Sequence, residues 1–288
     1  SLSFLILLAA SLSLYYLLPG KTQWIVLLCA SLLFYAWGGV GVLLYLTFTV
    51  LTNYSAGLII GAEDSSRAEK RAALITALLL NFGLLYLLKY HGSWIQGAVL
   101  RGVMLPVGIS FYMFQSAGYV IDCYRGKHPP ETNLLRFTLF VSFFPQIIQG
   151  PISSYGQLGE QLFAEHRPEF ARFKLGLELI LWGYFKKLVI ADRAVIAINA
   201  VTSDYTAFTG TVILAAALLY ALQLYADFSA GIDISRGIAQ MLGIDLVQNF
   251  RRPYFAASLN DYWRRWHISL GNWMKNYIFY PVAMSKLF

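Results

Sequence analysis

Charged residues are scarce in this chain, and their scarcity excludes an ordinary soluble domain. Of its 288 residues, 13% are Asp, Glu, Lys or Arg and 58% are hydrophobic, whereas about a quarter of the residues in soluble domains are charged. The composition therefore indicates a membrane protein with several spans. In such a protein the net charge of +7 reflects basic cytoplasmic loops, so we expect membrane lipids, and no nucleic acid, as partners.

Cysteine is nearly absent as well. Cys29 and Cys123 both lie in apolar segments, where we expect buried thiols that act as small hydrophobic side chains. We predict no metal site. The apolar run Leu2–Leu18 lacks the basic start and the Ala-x-Ala exit of a cleaved signal peptide, so it is interpreted as a span.

Seven apolar runs are long enough to cross a bilayer, or nearly so. They are Leu2–Leu18, Trp24–Trp37, Val40–Ile60, Ala72–Tyr90, Val103–Ile121, Leu175–Ile198 and Thr211–Phe228. An eighth run, Leu134–Gln149, is short and contains Pro145, which favours a re-entrant or half-buried helix. No internal repeat and no soluble segment is visible. We therefore predict a single all-α membrane domain over residues 1–288, with broken, re-entrant and interfacial helices around a tunnel.

Basic residues near the ends of the spans predict the orientation. The connections Gly61–Arg71 and Arg125–Arg136 each hold three Lys or Arg residues, whereas Ala200–Gly210 holds none. The positive-inside rule then places the first two in the cytoplasm, the third outside and the N-terminus outside. Everything from about Asp233 onward is expected on the cytoplasmic side.

The segment Phe140–Ser154 predicts a broken helix. Pro145 and Gly150 interrupt helical structure there, and the amides of Gln146 and Gln149 can satisfy the backbone groups that the break frees. Broken helices at membrane depth are tolerated where they line a cavity, so we expect this segment to help form the tunnel.

Several other segments are too polar for plain lipid-facing helices. Asn53 and Asn81 stand alone in apolar helices, and we expect them to hydrogen-bond between helices. Gly150–Lys174 and Trp263–Tyr280 are interpreted as interfacial. Leu175–Ile198 must shelter its charges in the protein or extend them to the headgroups: Glu178, Lys186, Lys187, Asp192 and Arg193.

The densest polar cluster places two tryptophans, two arginines and a histidine in five consecutive positions: Trp263, Arg264, Arg265, Trp266 and His267. The other three histidines, His91, His128 and His166, occupy predicted loops. If Asn260–Asn276 is one helix, Trp263 and Arg264 each share a face with His267, and Asp261 pairs with either arginine.

His267 is the candidate base. An imidazole packed against an indole and near a guanidinium loses part of its charged form through desolvation and like charge. A neutral imidazole is able to accept a proton from a hydroxyl group, as a general base must. The alternative is a structural histidine that hydrogen-bonds a neighbouring helix.

Upstream, Tyr225–Asp233 brings two carboxylates to the cytoplasmic end of a span. Asp233 is three residues before Arg236, which predicts a local ion pair. Asp227 has no local cation, so it either meets a downstream arginine or serves the reaction pathway.

Asn249–Tyr254 is predicted to be a turn, because Pro253 fixes its own backbone angle and restricts its predecessor. Arg251 and Arg252 in this turn suit phosphates, either of lipid headgroups or of a phosphate-bearing donor or carrier.

Six motifs together resemble the membrane-bound O-acyltransferase family, and are most similar to its bacterial branch of alginate and peptidoglycan O-acetyltransferases. They are Leu105–Tyr112, Tyr119–Gly126, Phe140–Pro151, Tyr225–Ser229, Asn249–Tyr254 and Trp263–Leu270. Their order and spacing cover nearly the whole chain.

The resemblance implies a tunnel that an acyl donor, such as acetyl-CoA or an acyl-carrier protein, enters from the cytoplasm and a glycan hydroxyl enters from the other side. No bound cofactor is expected. It also implies two catalytic histidines: one carries over to His267, as base or assistant, and the other belongs to a Trp-His-Gly-type motif that this sequence lacks. The chain begins with Ser and lacks that motif, so we expect it to be truncated at both ends. A partner acyltransferase on the outer side is a further expectation.

The expected site residues follow from these readings. Beside His267, residues expected to line the tunnel or bind substrate are Trp263, Arg264, Trp266, Asp227, Tyr225, Ser229, Gln146 and Gln149. Those expected to bind donor or lipid phosphates are Arg251, Arg252 and Arg265.

Two rival functions remain open. Broken helices and buried charges also mark transporters, although transporters often show inverted repeats and none is visible here. A non-catalytic subunit that anchors or guides a partner acyltransferase is the second rival.

Overall fold

The computed structural model describes residues 2–94, 108–147 and 149–284, and the regular structure in these ranges is entirely helical. The predicted all-α fold is confirmed. The α-helices of this part of the chain are α1 (Leu2–Leu17), α2 (Gln23–Ala36), α3 (Val40–Gly61), α4 (Arg67–Trp94), α5 (Ile109–Tyr124), α6 (Leu134–Ser142), α7 (Phe144–Ile147), α8 (Tyr155–Phe163), α9 (Phe170–Phe185), α10 (Asp192–Thr202), α11 (Gly210–Met241), α12 (Leu259–Arg265), α13 (Ile268–Met274) and α14 (Tyr280–Ala283).

Three helices in the described ranges are long and apolar enough to cross a membrane: Gly41–Gly61, Arg67–Lys89 and Gly210–Met241. They correspond to three of the predicted runs, and two further runs form the shorter helices α1 and α2. Of the predicted run Val103–Ile121, residues 103–107 lie outside the described residues and the remainder lies in α5. His91 lies within α4, so its predicted loop position is wrong, whereas His128 and His166 do lie between helices.

The chain divides into two compact units. One consists of Ser1–Ile148, Ile152–Arg167 and Ser269–Phe288, and the other of Gln149–Pro151 and Pro168–Ile268. We call them the terminal unit and the central unit.

In the terminal unit, α3 and α4 are joined by the predicted amide pair. Asn53 Nδ2 donates to Asn81 Oδ1 at 3.0 Å, and both residues are fully buried. A reciprocal cap starts α4, because Ser66 N donates to Glu69 Oε2 at 2.7 Å while Glu69 N donates to Ser66 Oγ at 3.2 Å. Each arrangement satisfies polar groups that would otherwise weaken an apolar helix.

The predicted helix break lies between α6 and α7 in the terminal unit. At the break, Gln115 Nε2 donates to the carbonyl of Phe140 at 2.7 Å, and Phe144 N donates to Ser31 Oγ at 3.1 Å. Side chains from α5 and α2 therefore satisfy the freed backbone groups. At these two backbone groups the partners are Gln115 and Ser31, from helices that are distant in sequence, and not the predicted Gln146 and Gln149.

In the central unit, α9 continues through a π-helical turn, Lys186–Ala191, into α10. Helix α9 packs on α11 through glycines: a Cβ atom on Gly176 would lie 2.5 Å from the carbonyl oxygen of Gly237. Small residues at such a crossing let two backbones approach closely, which compensates for the weak hydrophobic drive between helices in lipid.

Candidate functional site

The helix predicted over Asn260–Asn276 is broken at the histidine. Helix α12 ends at Arg265, α13 begins at Ile268, and His267 between them has a φ of 44°. The prediction of one continuous helix is therefore wrong, and so is the shared face of Trp263 and His267 that depended on it. Trp263 is 60% exposed and its ring packs on that of Tyr262.

Two backbone hydrogen bonds hold the histidine at this break. Arg251 N donates to the carbonyl of Arg265 at 3.0 Å, and Ile268 N donates to the carbonyl of Asn249 at 3.0 Å. These bonds tie the turn Asn249–Tyr254 to the segment Arg265–Ile268, and we call the joined pair the histidine corner.

Backbone strain is concentrated in the histidine corner. Arg252 (φ 47°) and His267 are the two non-glycine residues with positive φ among those the structure describes. A left-handed conformation costs a non-glycine residue about 1–3 kcal/mol, and such residues cluster at functional sites. The predicted turn at Asn249–Tyr254 is confirmed, since Pro253–Phe255 forms a 3₁₀ turn directly after Arg252.

Two phenylalanine rings pack near the half-buried imidazole of His267. Its centroid lies 4.8 Å from that of Phe228 on α11, in an edge-on arrangement, and 6.5 Å from that of Phe250. The Phe250 ring contacts Trp266 at 5.0 Å and Tyr225 at 5.6 Å. The structure thus brings together three of the predicted site residues, Tyr225, Trp266 and His267.

Burial within this cluster lowers the pKa of His267 to about 4. The cause is desolvation, which disfavours the charged imidazolium. His267 is therefore neutral at physiological pH. The sequence predicted a neutral imidazole, but from the Trp263 indole and a neighbouring guanidinium, whereas desolvation is the cause here.

Asp261 forms an ion pair with Arg265, one of the two arginines that were predicted as its partners. Arg265 Nε donates to Asp261 Oδ1 at 2.9 Å and its Nη2 lies 2.9 Å from Oδ2. This paired contact with Arg265 lowers the pKa of the Asp261 carboxyl group below its ordinary value. Arg265 is thus held along α12, while Arg264, like Arg251 and Arg252 of the turn, is exposed.

The two carboxylates of α11 have partners on different elements. Asp233 accepts from Arg236 at 3.4 Å, which confirms the local ion pair, and also from Lys186 Nζ at 2.7 Å. Asp227 accepts from Lys187 Nζ at 2.8 Å. Of the two alternatives for Asp227, the contact with a downstream arginine is wrong, because its cation comes from the π-helical turn.

The two glutamines of the broken-helix segment belong to different units. Gln146, in the terminal unit, is 4% exposed, and its Nε2 donates to Gln115 Oε1 at 2.7 Å. Gln149, in the central unit, is exposed, and a Cβ atom on Gly231 of α11 would collide with its amide. Gln149 therefore lies against the same helix that carries Ser229 and Asp233.

The sequence reading missed Phe228, Phe250 and the role of Lys186. Phe228 follows Tyr225 by three residues on one helix, so helical spacing was a signal that both rings reach the same neighbour. Phe250 and Lys186 had no such signal, since their contacts are made to residues distant in sequence.

The histidine corner is suited to proton or hydrogen-bond chemistry on a substrate shielded from water. It offers a neutral imidazole, apolar rings that lower the local dielectric and a backbone held in one conformation. Low dielectric strengthens the hydrogen bonds that such a group makes to a reacting atom.

Comparison with known proteins places these features in a family. The sequence pattern of the membrane-bound O-acyltransferase family matches residues 126–288. A protein of Pseudomonas fluorescens named probable alginate O-acetylase AlgI is 36% identical over 275 residues, which cover 96% of this chain and 54% of that protein.

Two further relatives are named for other envelope polymers. The peptidoglycan O-acetyltransferase of Helicobacter pylori is 32% identical over 92% of this chain and 56% of its own length. The teichoic acid D-alanyltransferase of Bacillus subtilis is 29% identical over 60% of this chain and 44% of its own length. The chain spans about half the length of the relatives it matches.

Proposed function

Because the chain belongs to the membrane-bound O-acyltransferase family, we propose that this protein transfers an acyl group, most simply acetyl, from a cytoplasmic donor to a hydroxyl group of an exported cell-envelope polysaccharide or glycan. The family is the one that the six motifs predicted. The relatives are named for acyl transfer to alginate, peptidoglycan and teichoic acid. The observation that carries the proposal is the neutral, half-buried imidazole of His267, which packs beside Phe228 and Phe250 within the region that matches the family.

His267 is proposed to assist the reaction rather than to act as its main base. Acyl transfer needs a group that takes the proton of the acceptor hydroxyl and donors that stabilise the oxyanion. An imidazole with a pKa of about 4 is a weak base at neutral pH, because a general base works best when its pKa lies near the working pH. A neutral imidazole still binds and orients a hydroxyl or a second catalytic group, and the resemblance implies a second histidine for that role.

The rings of Tyr225, Phe250 and Trp266 are proposed to form the wall that excludes water from the reacting thioester and hydroxyl. Exclusion of water protects an acyl donor from hydrolysis and strengthens the hydrogen bonds of His267. Within the central unit, Trp263, Arg264, Ser229, Asp227 and Gln149 stay as proposed substrate or tunnel contacts. Gln146 of the terminal unit stays, by itself, a proposed contact of the same kind.

Arg251 and Arg252 are proposed to bind phosphate on the cytoplasmic face. The phosphate groups are those of acetyl-CoA, of an acyl-carrier protein or of lipid headgroups. Arg265 is proposed as a third phosphate-binding residue. Exposed guanidinium groups pair well with phosphate through two parallel hydrogen bonds. This assignment depends on the orientation proposed from the loop charges, with the N-terminus outside and several spans crossing a bacterial cytoplasmic membrane.

The function is tested with the full-length protein reconstituted in lipid vesicles. Acetyl-CoA labelled in its acetyl group is supplied on one side, and oligosaccharides of alginate, peptidoglycan or teichoic acid are supplied on the other. The expected product is a labelled oligosaccharide whose label is released by mild base, as an O-ester is. Transport of the oligosaccharide without ester formation would instead favour the transporter reading.

A further inference from the structure

Lys186 is a buried ammonium group at the start of the π-helical turn in the central unit. Its side chain is 8% exposed, and its Nζ donates to Ser229 Oγ at 2.8 Å and to Asp233 Oδ2 at 2.7 Å. Removing an ammonium group from water costs several kcal/mol, which its partners offset only when the geometry is good. A buried lysine that spans two helices therefore fixes one helix against the other.

Two consecutive lysines of the π-helical turn contact the same helix, α11. Lys187 Nζ lies 2.8 Å from Asp227 Oδ1 on α11 and 3.0 Å from Asp192 Oδ1 on α10. Single π-helical turns inside α-helices occur frequently at functional sites. Residues Lys186, Lys187, Asp227, Ser229 and Asp233 are called the lysine network below.

The lysine network holds the turn of α11 that packs on His267. Phe228 lies between Asp227 and Ser229 in sequence, and its ring is the nearest to that of His267 among the ring contacts, at 4.8 Å. The backbone on this side has little freedom, since a Cβ atom on Gly183 would lie 2.8 Å from the carbonyl oxygen of Ala230. A shift of α11 at Ser229 would therefore move Phe228 relative to the imidazole.

We infer that Lys186 is a positioning residue for His267: through Ser229 and Asp233 it holds α11 so that Phe228 shields the imidazole. The expectation that loss of Lys186 lowers turnover rests on the proposed function. The expectation that Phe228 shields His267 does not, because it concerns only the exposure of the His267 side chain.

The first test measures the exposure of His267 directly. Diethyl pyrocarbonate acylates neutral imidazoles, and peptide mass spectrometry gives the rate at each histidine of the full-length protein. Lys186→Met keeps the length of the side chain, and Arg236 remains beside Asp233 at 3.4 Å. We expect the His267 rate to rise about threefold or more as its ring cover loosens, with the His166 rate unchanged.

The second test separates positioning from substrate binding. In Lys186→Met we expect kcat with acetyl-CoA to fall about tenfold or more, with KM changed less than about twofold, since misplacement of a catalytic group by even 1 Å can cost about a hundredfold. The matched control is Lys174→Met. It removes an exposed lysine of α9 that lies 3.8 Å from Glu178, and we expect both the His267 rate and kcat to stay at their original values.

Ser229→Ala provides a variant that leaves no buried charge unpaired. It removes one partner of Lys186, and we expect the His267 modification rate to rise about twofold. If Lys186→Met does not fold, the His267 modification rate of Ser229→Ala tests the inference in its place. An unchanged His267 rate in the folded variants would overturn the inference, whether or not turnover falls. Absence of acyl transfer in the original protein, combined with the expected change in modification rate, would overturn the proposed function alone.

Discussion

At the scale of single residues, His267 combines an unfavourable backbone conformation with a desolvated side chain. Histidine enters the left-handed region more readily than most residues do, but the conformation still costs free energy. The backbone bonds of Asn249 and Arg251 to the neighbouring segment keep it there. A residue held in this way at the junction of two helices is placed more accurately than one on a free loop.

Replacement of His267 tests this interpretation. We expect His267→Ala to reduce acyl transfer by about a hundredfold, the loss that misplacement of a catalytic group by about 1 Å can cause, because the imidazole is proposed to orient the acceptor hydroxyl or a second catalytic group. His267→Asn is the matched variant, because asparagine accepts a positive φ and so removes the imidazole with less backbone strain. Both are measured in a labelled-acetate assay, with size-exclusion chromatography in detergent as the folding control. Near-normal transfer by His267→Asn would mean that the corner is structural.

The buried imidazole should titrate well below the ordinary pKa of histidine. Burial lowers the pKa of His267 from 6.5 to about 4. Diethyl pyrocarbonate reacts with the neutral form, so we expect its rate at His267, after correction for reagent decay, to reach half its maximum near pH 4. In the denatured chain the midpoint should return to about 6.5.

The same shift has a consequence for stability. Between the two midpoints the unfolded chain binds a proton that the folded chain does not, so acidification favours unfolding. The stabilisation is fully present above about pH 6.5 and is lost as pH falls through about 4. If the reaction of diethyl pyrocarbonate with His267 in the folded protein were half-maximal near pH 6.5, the desolvation of the imidazole would be contradicted.

At the scale of helices, the crossing of α9 and α11 depends on glycine. Gly176→Ala would place a Cβ atom 2.5 Å from the carbonyl oxygen of Gly237 and from Met241 Cγ. Backbone cannot move aside as a flexible side chain does, so we expect a loss of about 1–3 kcal/mol in stability, seen as a lower melting temperature in detergent.

Gly83→Ala in α4 is the control for that substitution. No atom lies within 4 Å of the Cβ that it would add, and alanine favours a helix over glycine by about 1 kcal/mol. We expect the melting temperature of this variant to stay level or rise. If both variants melt alike, close packing at Gly176 is not what joins α9 to α11.

The sequence predicts the helices better than it predicts their junctions. Apolar runs locate α1 to α4 and α11 because hydropathy is a property of the run itself. The break at His267 was missed because Asn260–Asn276 contains no proline and its one glycine, Gly271, lies inside α13. Tertiary contacts cause that break, through the backbone bonds from Asn249 and Arg251.

Pairings within one turn of a helix were predictable, and pairings between helices mostly were not. The pair of Asp233 and Arg236 follows from spacing alone, whereas spacing limits the partner of Asp261 to Arg264 or Arg265 without deciding between them. The amide pair of Asn53 and Asn81 was expected because an isolated amide in an apolar helix needs a partner. Lys187 could not be assigned to Asp227 in this way, since nothing in the sequence indicates which carboxylate of another helix the π-helical turn faces.

At the scale of the whole molecule, the low charge content makes the position of each charge informative. Within the described residues, buried or half-buried charges such as Lys186, Asp233 and Asp122 are paired. The exposed charges lie both in connections between helices and within helices, as at the start of α4. The orientation is therefore expected to follow the positive-inside rule, which places the connections rich in Lys and Arg in the cytoplasm.

Single cysteines in two connections that are proposed to lie on opposite sides of the membrane test that orientation. In a background with Cys29→Ser and Cys123→Ser, Asp64→Cys lies in the exposed connection before α4 and Ser203→Cys in the exposed connection after α10. We expect a membrane-impermeant maleimide to label Ser203→Cys in intact cells, because that connection holds no Lys or Arg. Asp64→Cys should be labelled only after lysis. The reverse pattern would invert the proposed orientation and move Arg251 and Arg252 to the outer face, where a cytoplasmic acyl donor cannot meet them. Labelling of both in intact cells would mean that an even number of spans separates them, contrary to the charge pattern.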